Sequence, residues 1–276
     1  MTSSPPTTAP PSATSPPTGT PASAPTGTPL TTPSATAPGT PTSTFPPCTP
    51  LPAEPIAWWR GEGNADDSIG LAHGTVAGDA GFISGHVGQA FSFDAVEGVA
   101  TFPGGDDLDV TGDELTLETW IKLEESQVDG QIFTGNIGKN DFPDGQAFVI
   151  TFESGPIQSG VGPTLPPNQW QFEYVLTNAS GNRLHDQATG VVITVDGAFH
   201  HVAMTYDGQN VRLFVDGEER YDRDFSGSLL SVPDVPVTIA GGAPFAADEV
   251  TIYGVALTTS EIGAIHAAGA GGKCQP

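Results

Sequence analysis

The sequence predicts an all-β fold, a two-sheet antiparallel jelly-roll sandwich with one short C-terminal helix, preceded by an extended polyproline-type tail. Three observations support this prediction. Twelve short runs are rich in β-branched and aromatic residues and are bounded by Gly, Pro, Asn or Asp. Two Asp-Gly pairs separate alternating runs, which is typical of tight hairpins. Only one helix signal is clear, and it lies near the end of the chain, so a sandwich is favoured.

Residues 1–53 are predicted to form a low-complexity stalk. They contain 16 of the 27 prolines and no Asp, Glu, Lys, Arg or His. Proline recurs at positions 17, 25, 33 and 41, which makes a degenerate octapeptide repeat. Because proline fixes φ and lacks an N–H group, polyproline II is the expected conformation and no core can form. The Ser and Thr content beside proline is typical of an O-glycosylated stalk, and an unmodified interdomain linker is the alternative.

Residues 54–276 are predicted to form the jelly-roll domain. The run LTLETWIKL at 115–123 alternates, which places Leu115 and Leu117 on one face and Glu118 on the other. The Asp-Gly pairs at 207–208 and 216–217 predict a three-stranded meander. The predicted strands, in chain order, are 56–60, 89–93, 98–102, 115–123, 131–135, 146–152, 172–176, 190–195, 200–206, 211–216, 237–241 and 248–253.

The single predicted helix lies near residues 258–268. Thr258 and Glu261 have the spacing of a capping box, in which each side chain bonds the other residue's backbone N–H. The two cysteines, Cys48 and Cys274, flank the predicted domain. In a sandwich whose first and last strands are neighbours they would meet, so we predict a disulfide that joins the two ends. The alternative is two unrelated thiols in a cytosolic protein.

The charge balance excludes several function classes. The formal net charge is −24, and all 32 acidic and 8 basic residues follow residue 53. A domain this acidic repels phosphate backbones and anionic head groups, so we expect no nucleic-acid partner and no polybasic membrane docking. No apolar run reaches the roughly 18 residues that a membrane span needs. We therefore expect no membrane span.

Several stretches resemble the bacterial LamG-like jelly-roll domains of the concanavalin A-like lectin/glucanase superfamily. The first is IAWWRGEGNADDSIGLAHGTVAGDAGFISGHVGQAFSFD, and LTLETWIKL, FHHVAMTYDGQNVRLFVDGE and DEVTIYGVALTTSEIGAIHAAG follow in the expected order. The resemblance covers about 56–274, although the segment 156–190 departs from the pattern. Such domains tend to carry one cysteine before the first strand and one after the last helix, which agrees with Cys48 and Cys274.

The resemblance also implies a structural Ca²⁺ ion. In such domains a Gly-containing loop after the first strand, here Asp66–Gly74, faces the Asp that opens a late strand, here Asp248. Asp67, Asp248 and a backbone oxygen at His73 are the predicted ligands, although the family usually has an Asn-like residue at position 73. Ca²⁺ prefers such oxygen ligands. The alternative is that Asp67 caps the turn and Asp248 is a strand-end charge.

The sequence predicts a protein that is not an enzyme. Retaining β-glucanases of this superfamily place two glutamates about 5–5.5 Å apart on one strand face, with an aspartate between them. The nearest match here is Glu114 and Glu118 with Thr116 between them, which we interpret as a solvated strand face. His200 and His201 are adjacent on a strand, so alternation sends the rings to opposite faces. A two-histidine metal site is therefore not expected.

Asn168, Gln169 and Trp170 are the predicted ligand contacts. They lie in the segment that departs from the family pattern, and sugar sites on such sandwiches use aromatic platforms with amide and carboxylate groups. The alternative is that all four tryptophans of the chain are buried. Asn178–Ser180 forms an N-glycosylation sequon, which is meaningful only in a host that glycosylates such sequences.

These observations predict a secreted or cell-surface recognition and adhesion module of the carbohydrate-binding type, with glycans or glycoproteins as partners, displayed on the stalk. The start MTSSPPTTAP lacks the basic and apolar regions of a signal peptide, so we expect the export signal to be absent from this chain. One alternative is a structural subunit of an extracellular filament, sheath or virion that assembles through residues 1–47. A degenerate glycoside hydrolase is the more distant alternative.

Overall fold

The computed structural model describes most of the predicted domain. All described residues belong to the unit Thr44–Pro276. The predictions of a polyproline stalk, O-glycosylation and self-assembly concern residues 1–46 almost entirely, and these lie outside the described residues. The residues described are 47–94, 97–124, 133–141, 145–154, 165, 168–186, 189–242 and 244–276.

The described chain contains sixteen strands, one α-helix and two 3₁₀ turns. In chain order they are β1 (Ala57–Trp59), β2 (Thr75–Ala77), β3 (Ala80–Ser84), β4 (Gln89–Phe93), β5 (Val99–Phe102), the 3₁₀ turn Asp106–Leu108, β6 (Leu115–Leu123), β7 (Phe133–Lys139), β8 (Phe148–Ser154), β9 (Gln169–Thr177), β10 (Arg183–Asp186), β11 (Val192–Thr194), β12 (His200–Tyr206), β13 (Asn210–Val215), β14 (Glu218–Asp224), β15 (Val237–Gly241), β16 (Phe245–Tyr253), α1 (Thr259–Ala268) and the 3₁₀ turn Gly269–Gly271.

The strands form two antiparallel sheets, which confirms the predicted sandwich. The first sheet has the order β14-β13-β12-β6-β16-β4-β3, and β1 also pairs with β16. The second sheet has the order β10-β9-β8-β7-β15-β5-β2, and β11 also pairs with β9. The predicted turn at Asp216-Gly217 has positive φ at both residues, 52° and 76°, as a type I′ hairpin requires. The strands β2, β3 and β10 were not predicted, because they are short and largely exposed or polar.

The core lies between the two sheets. Leu115, Leu117 and Ile121 of β6 face it, as the alternation predicted, and they belong to the same buried cluster as Phe148 and Phe152 of β8. On the second sheet the odd-numbered residues of β9 therefore point away from the core, because its even-numbered residues from 170 to 176 belong to that cluster. The fold thus has two outer faces, one on each sheet.

The outer face of the first sheet is covered by the C-terminal part of the chain. The helix α1 begins with the predicted capping box, since the Glu261 N–H donates to the Thr258 side chain and the Thr258 N–H donates to Glu261. Its buried residues Ile262 and Ile265 pack with Phe214 and other buried residues of this face in a second, smaller cluster. The prediction of one short C-terminal helix is confirmed.

Glu118 is also on this outer face, but it is fully buried, so the prediction of a solvated strand face was wrong. Lys273 Nζ donates to Glu118 Oε1 at 2.6 Å and to Thr251 Oγ1 at 2.9 Å. His201 Nε2 lies 3.0 Å from Glu118 Oε2. Burial alone would raise the pKa of Glu118, but Lys273 and His201 outweigh it and hold this pKa at about 2.

A second buried carboxylate, that of Glu249, adjoins Lys273. Trp58 Nε1 donates to Glu249 Oε2 at 3.1 Å, and Arg60 Nε donates to Oε1 at 3.3 Å. Glu249 has a φ of 58° within the irregularity that separates Asp248 from Thr251 in β16. A left-handed backbone at a residue other than glycine is strained and persists only where surrounding contacts determine it. These contacts come from β1 and the C-terminal segment.

The disulfide Cys48–Cys274 is present, which confirms the predicted pairing. Beside it, the Thr49 N–H donates to the Gly272 carbonyl and the Cys274 N–H donates to the Thr49 carbonyl, both at 2.8 Å. Lys273 is therefore held between a disulfide and two backbone hydrogen bonds. This fixed segment places the Lys273 ammonium beside Glu118, which is 155 residues away in the sequence.

We predict that Lys273→Met lowers the free energy of unfolding by about 3–5 kcal/mol, because it leaves Glu118 buried without its main counter-charge. Urea unfolding followed by circular dichroism measures this loss. Arg220→Met is the matched control, because the exposed pair of Arg220 with Glu218 at 2.8 Å contributes about 0–1 kcal/mol at most. Equal losses in the two variants would contradict the prediction.

Candidate functional site

The outer face of the second sheet carries a row of polar side chains. Asn136 of β7 is paired with Thr151 of β8, and Thr151 is paired with Glu173 of β9. All three side chains point away from the core, because they alternate with core residues along their strands. Thr151 Oγ1 donates to Asn136 Oδ1 at 3.0 Å, so part of the row is already ordered by a hydrogen bond.

A second polar pair adjoins this row. Glu153 of β8 is paired with Gln171 of β9, so Glu153 lies diagonally across from Glu173. His185 of β10 completes the surface, with Nε2 at 3.6 Å from Glu173 Oε2. We call this surface the polar face, and it consists of Asn136, Thr151, Glu153, Gln171, Glu173 and His185.

Glu173 is the most unusual member of the polar face. Its side chain is only 1% exposed. Within the part of the chain that the structure describes, neither of its carboxylate oxygens accepts a hydrogen bond. A buried polar group without a hydrogen-bond partner typically costs about 1–3 kcal/mol, and more when it is charged. Such a group in a native fold calls for a partner such as a water or a ligand.

The side chains of the polar face differ in their exposure to solvent. Asn136, Thr151 and His185 are each partly exposed, whereas Glu173 is buried between them. The row therefore combines partly exposed polar groups with a buried acceptor pair. Carboxylate, amide, hydroxyl and imidazole groups arranged in this way can accept hydrogen bonds from, and donate them to, a ligand rich in hydroxyl groups.

The sequence analysis missed this site although its signal is present in QWQFEYVLT. In β9 the residues Gln169, Gln171 and Glu173 alternate with aromatic residues, and a polar residue at every second position marks one face of a strand. Trp170 was instead predicted as a ligand contact because it is aromatic. Trp170 is buried in the core, and its indole N–H donates to the Glu124 carbonyl at 3.2 Å. That prediction was wrong.

The other two predicted ligand contacts lie at the start of β9. Asn168 is exposed, and its carbonyl accepts a hydrogen bond from the Val195 N–H at 2.8 Å. Gln169 is half-buried and is paired with Thr194 of β11. A role for Asn168 and Gln169 in ligand binding stays a prediction. All four tryptophans are buried, so none of them forms an exposed platform.

A pocket of about 290 Å³ lies near the edges of the two sheets and includes His200, Asp216 and Arg220 in its lining. Its charged groups already have partners. His200 Nδ1 is 2.8 Å from Asp216 Oδ2 and its Nε2 is 3.3 Å from Asp196 Oδ1, while Arg220 pairs with Glu218. The hydrogen bond to Asp216 raises the pKa of His200. The charged groups of this pocket thus have partners, whereas Glu173 in the polar face has no hydrogen-bond donor among the described residues. The pocket is therefore the weaker candidate for a ligand site.

The predicted calcium ligand Asp67 has a different role in the structure. Its two carboxylate oxygens accept hydrogen bonds from the backbone N–H groups of Trp58, Ile69, Gly70 and Ala72 at 3.0–3.3 Å. A carboxylate has about four lone-pair sites, so these donors occupy its capacity. This arrangement matches the alternative in which Asp67 caps the turn.

The other two predicted ligands are a backbone oxygen at His73 and the Asp248 carboxylate. The hydrogen bond at His73 involves its ring and not that oxygen, since Nδ1 accepts from the Asp67 N–H at 3.1 Å. Asp248 Oδ2 accepts one from the Val87 N–H at 2.8 Å, its Oδ1 has no partner among the described residues, and burial raises the pKa of Asp248 to about 8. Among the described residues, no group of three His, Cys, Asp or Glu side chains could hold a metal ion. In this arrangement the donor set does not fit Ca²⁺, and calcium binding stays a prediction.

The side-chain amide of Asn178, the sequon residue, already makes hydrogen bonds within the chain. It is buried, its Nδ2 donates to the Ser226 carbonyl at 2.9 Å, and its Oδ1 accepts hydrogen bonds from the N–H groups of Ser180 and Asn182. In the folded domain this amide is a turn-forming group and is not presented for modification.

We predict that Asp67→Ala lowers the free energy of unfolding by about 3 kcal/mol or more, because four backbone donors lose a charged acceptor. The loss should be the same with and without EDTA in urea unfolding. Asp66→Ala is the control from the same loop, since the Asp66 side chain is exposed and should tolerate the change. A wild-type protein that EDTA destabilises, together with an Asp67→Ala variant that EDTA does not affect, would instead establish a calcium site.

Comparison with known proteins extends these observations. The sequence profile of the Concanavalin A-like lectin/glucanases superfamily matches residues 94–263. No curated protein sequence matches the chain. Among solved structures, domain 4 of AbnA, a GH43 extracellular arabinanase from Geobacillus stearothermophilus, in complex with arabinotriose, has a TM-score of 0.53 and 18% identity, over 76% of this chain and 97% of that one.

Two toxin binding domains are also similar in fold. The binding domain of Paraclostridial Mosquitocidal Protein 1 has a TM-score of 0.58 and 11% identity, over 77% of this chain and 52% of that one. The binding domain of Botulinum Neurotoxin DC in complex with SialylT has a TM-score of 0.58 and 10% identity, over 78% and 51%. The chain thus spans about half the length of these two domains. Because the profile covers more than half of the chain and the fold agrees with it, the chain belongs to the concanavalin A-like lectin/glucanase superfamily.

Proposed function

We propose that this protein is a non-catalytic, extracellular recognition and adhesion module that binds glycans or glycoproteins through its polar face, displayed on the stalk of residues 1–53. The observation that carries the proposal is the buried Glu173 carboxylate, which has no hydrogen-bond donor among the described residues. Sugar hydroxyl groups are donors of the kind that this carboxylate lacks. A bound sugar would therefore satisfy a group that is costly to leave unpaired.

The similar structures support this proposal. The AbnA domain is described in complex with arabinotriose, and the neurotoxin DC binding domain in complex with SialylT. Both are similar to this chain in fold, and at 18% and 10% identity the similarity extends only to the fold. A binding role on this fold is therefore well precedented, and the polar face supplies suitable groups in this chain.

The contacts of Glu118 support a non-catalytic role at the glutamate pair that the sequence analysis considered. A catalytic carboxylate must reach the substrate. Glu118 is instead buried against Lys273 and His201, with its negative charge neutralised. Glu114 and Glu118 therefore cannot act together across a glycosidic bond. The polar face holds another pair of carboxylates on adjacent strands, Glu153 and Glu173.

One observation supports an extracellular location. The Cys48–Cys274 disulfide is the kind of bond that persists in oxidising surroundings outside the cytosol. Within the described ranges, no helix has both the length and the apolar character that crossing a membrane requires.

We predict that Glu173→Ala weakens binding to the best glycan at least about tenfold, since a hydrogen bond to a charged group contributes roughly 1.5–3 kcal/mol. A glycan array identifies that glycan, and isothermal titration calorimetry measures its Kd. Thr151→Val, which keeps the side-chain shape and removes the hydroxyl, should also weaken binding. Thermal unfolding of each variant verifies that it is folded.

Glu97→Ala is the control, because Glu97 is exposed and lies outside the polar face. Unchanged binding in both Glu173→Ala and Thr151→Val would refute the polar face as the binding site. Release of reducing ends from the bound glycan in the wild type, abolished in Glu173→Ala, would identify the domain as a glycoside hydrolase and contradict the non-catalytic role.

A further inference from the structure

We infer that the polar face selects glycans without negative charge and that Glu173 is the residue that sets this selectivity. This inference rests on the proposed function and concerns the same site. The ligand class is a neutral, hydroxyl-rich sugar or an amino sugar with a free ammonium group. Sugars that carry a carboxylate or a sulfate at the contact point are excluded.

Two carboxyl groups are already buried in the polar face. Glu153 and Glu173 lie diagonally on adjacent strands and are only 5% and 1% exposed. Coulomb repulsion strengthens as the dielectric constant falls, so a ligand carboxylate here would be repelled more strongly than at an exposed site. Placing like charge at the contact point is an effective way to reject a ligand.

Most of the basic residues of the chain have partners away from the polar face. Six of the eight basic residues are engaged with carboxylates or carbonyl groups off the polar face, namely Arg60, Lys139, Arg212, Arg220, Arg223 and Lys273. His185 is the positively chargeable group nearest to Glu173 among the described residues, and it lies 3.6 Å from that carboxylate. Its imidazole therefore lies where it can offset the charge of Glu173, and it is not positioned to offset a charge on a ligand.

Arg183 is the basic residue that most needs to be considered. It lies on β10, the strand that carries His185, and is paired with Thr177. Thr177 is four residues from Glu173 along β9, which corresponds to about 13 Å at the usual strand rise. Arg183 is therefore at the margin of the polar face.

The Glu173 carboxylate can accept hydrogen bonds from a ligand. With both oxygens free of hydrogen bonds among the described residues, its carboxylate can take two donors at once. Vicinal hydroxyl groups of a sugar, or one ammonium group, provide such donors. A ligand carboxylate provides none. Thr151 and Asn136 can then bond further hydroxyl groups along the same row.

The test measures the Kd of the full-length protein for matched pairs of sugars that differ by an acidic group. The pairs are lactose with sialyllactose, galactopentaose with pentagalacturonate, and xylopentaose with its glucuronylated form, with chitosan pentamer as the cationic probe. In any pair that binds, the neutral sugar should bind at least about tenfold more tightly than the acidic one. Because the responsible charges are buried, this ratio should persist when NaCl is raised from 150 to 500 mM.

Glu173→Gln keeps the side-chain shape and removes the charge, so it should reduce the neutral-to-acidic ratio to about threefold or less, by improved binding of the acidic sugar. Glu97→Gln removes the same charge from an exposed position elsewhere and should leave the ratio unchanged. Arg183→Ala should also leave it unchanged.

The outcomes separate the two proposals. Equal or tighter binding of the acidic sugars by the wild type, or an unchanged ratio in Glu173→Gln, overturns the selectivity while glycan binding stands. A reduced ratio in Glu97→Gln assigns the effect to net charge and also overturns the role of Glu173. Absence of binding to every probe, neutral, acidic and cationic, refutes the proposed function and this inference together.

Discussion

The neutralisation of Glu118 by Lys273 is the interaction on which this structure most depends. A carboxylate at the centre of the first sheet is fully buried, and the ammonium that compensates it arrives from a segment almost at the C terminus. The Cys48–Cys274 disulfide and the hydrogen bonds of Thr49 hold that segment in place. The helix, the C-terminal segment and the first strand therefore close one outer face of the sandwich.

The two outer faces differ in a way that bears on function. On the first sheet, buried Glu118 and Glu249 each have cationic or N–H partners from within the chain. On the second sheet, Glu173 is as deeply buried, and among the described residues only the imidazole of His185 approaches it, at 3.6 Å. The first sheet also carries Asp248, whose Oδ2 accepts a hydrogen bond while its Oδ1 has no partner among the described residues. The paired carboxylates Glu118 and Glu249 serve stability, whereas Glu173, with neither oxygen paired, has capacity for a ligand. For this reason we place recognition on the second sheet.

The sequence predicted those features that depend on local pattern. Alternation identified the core face of β6, Asp216-Gly217 predicted a hairpin, and Thr258 with Glu261 predicted the start of the helix. It failed where partners are distant in the chain, because no local pattern reveals that Lys273 covers Glu118. Trp170 was misassigned for a related reason, since its aromatic ring suits a core as well as a sugar platform.

The most direct test of this account is a double-mutant cycle that combines Glu118→Gln with Lys273→Met, measured by urea unfolding at pH 7. If Lys273 stabilises the fold mainly by neutralising Glu118, the double variant will be more stable than Lys273→Met alone, because the uncompensated buried charge is gone. Losses that simply add in the double variant would contradict the account, since they would show that the two residues stabilise the protein independently.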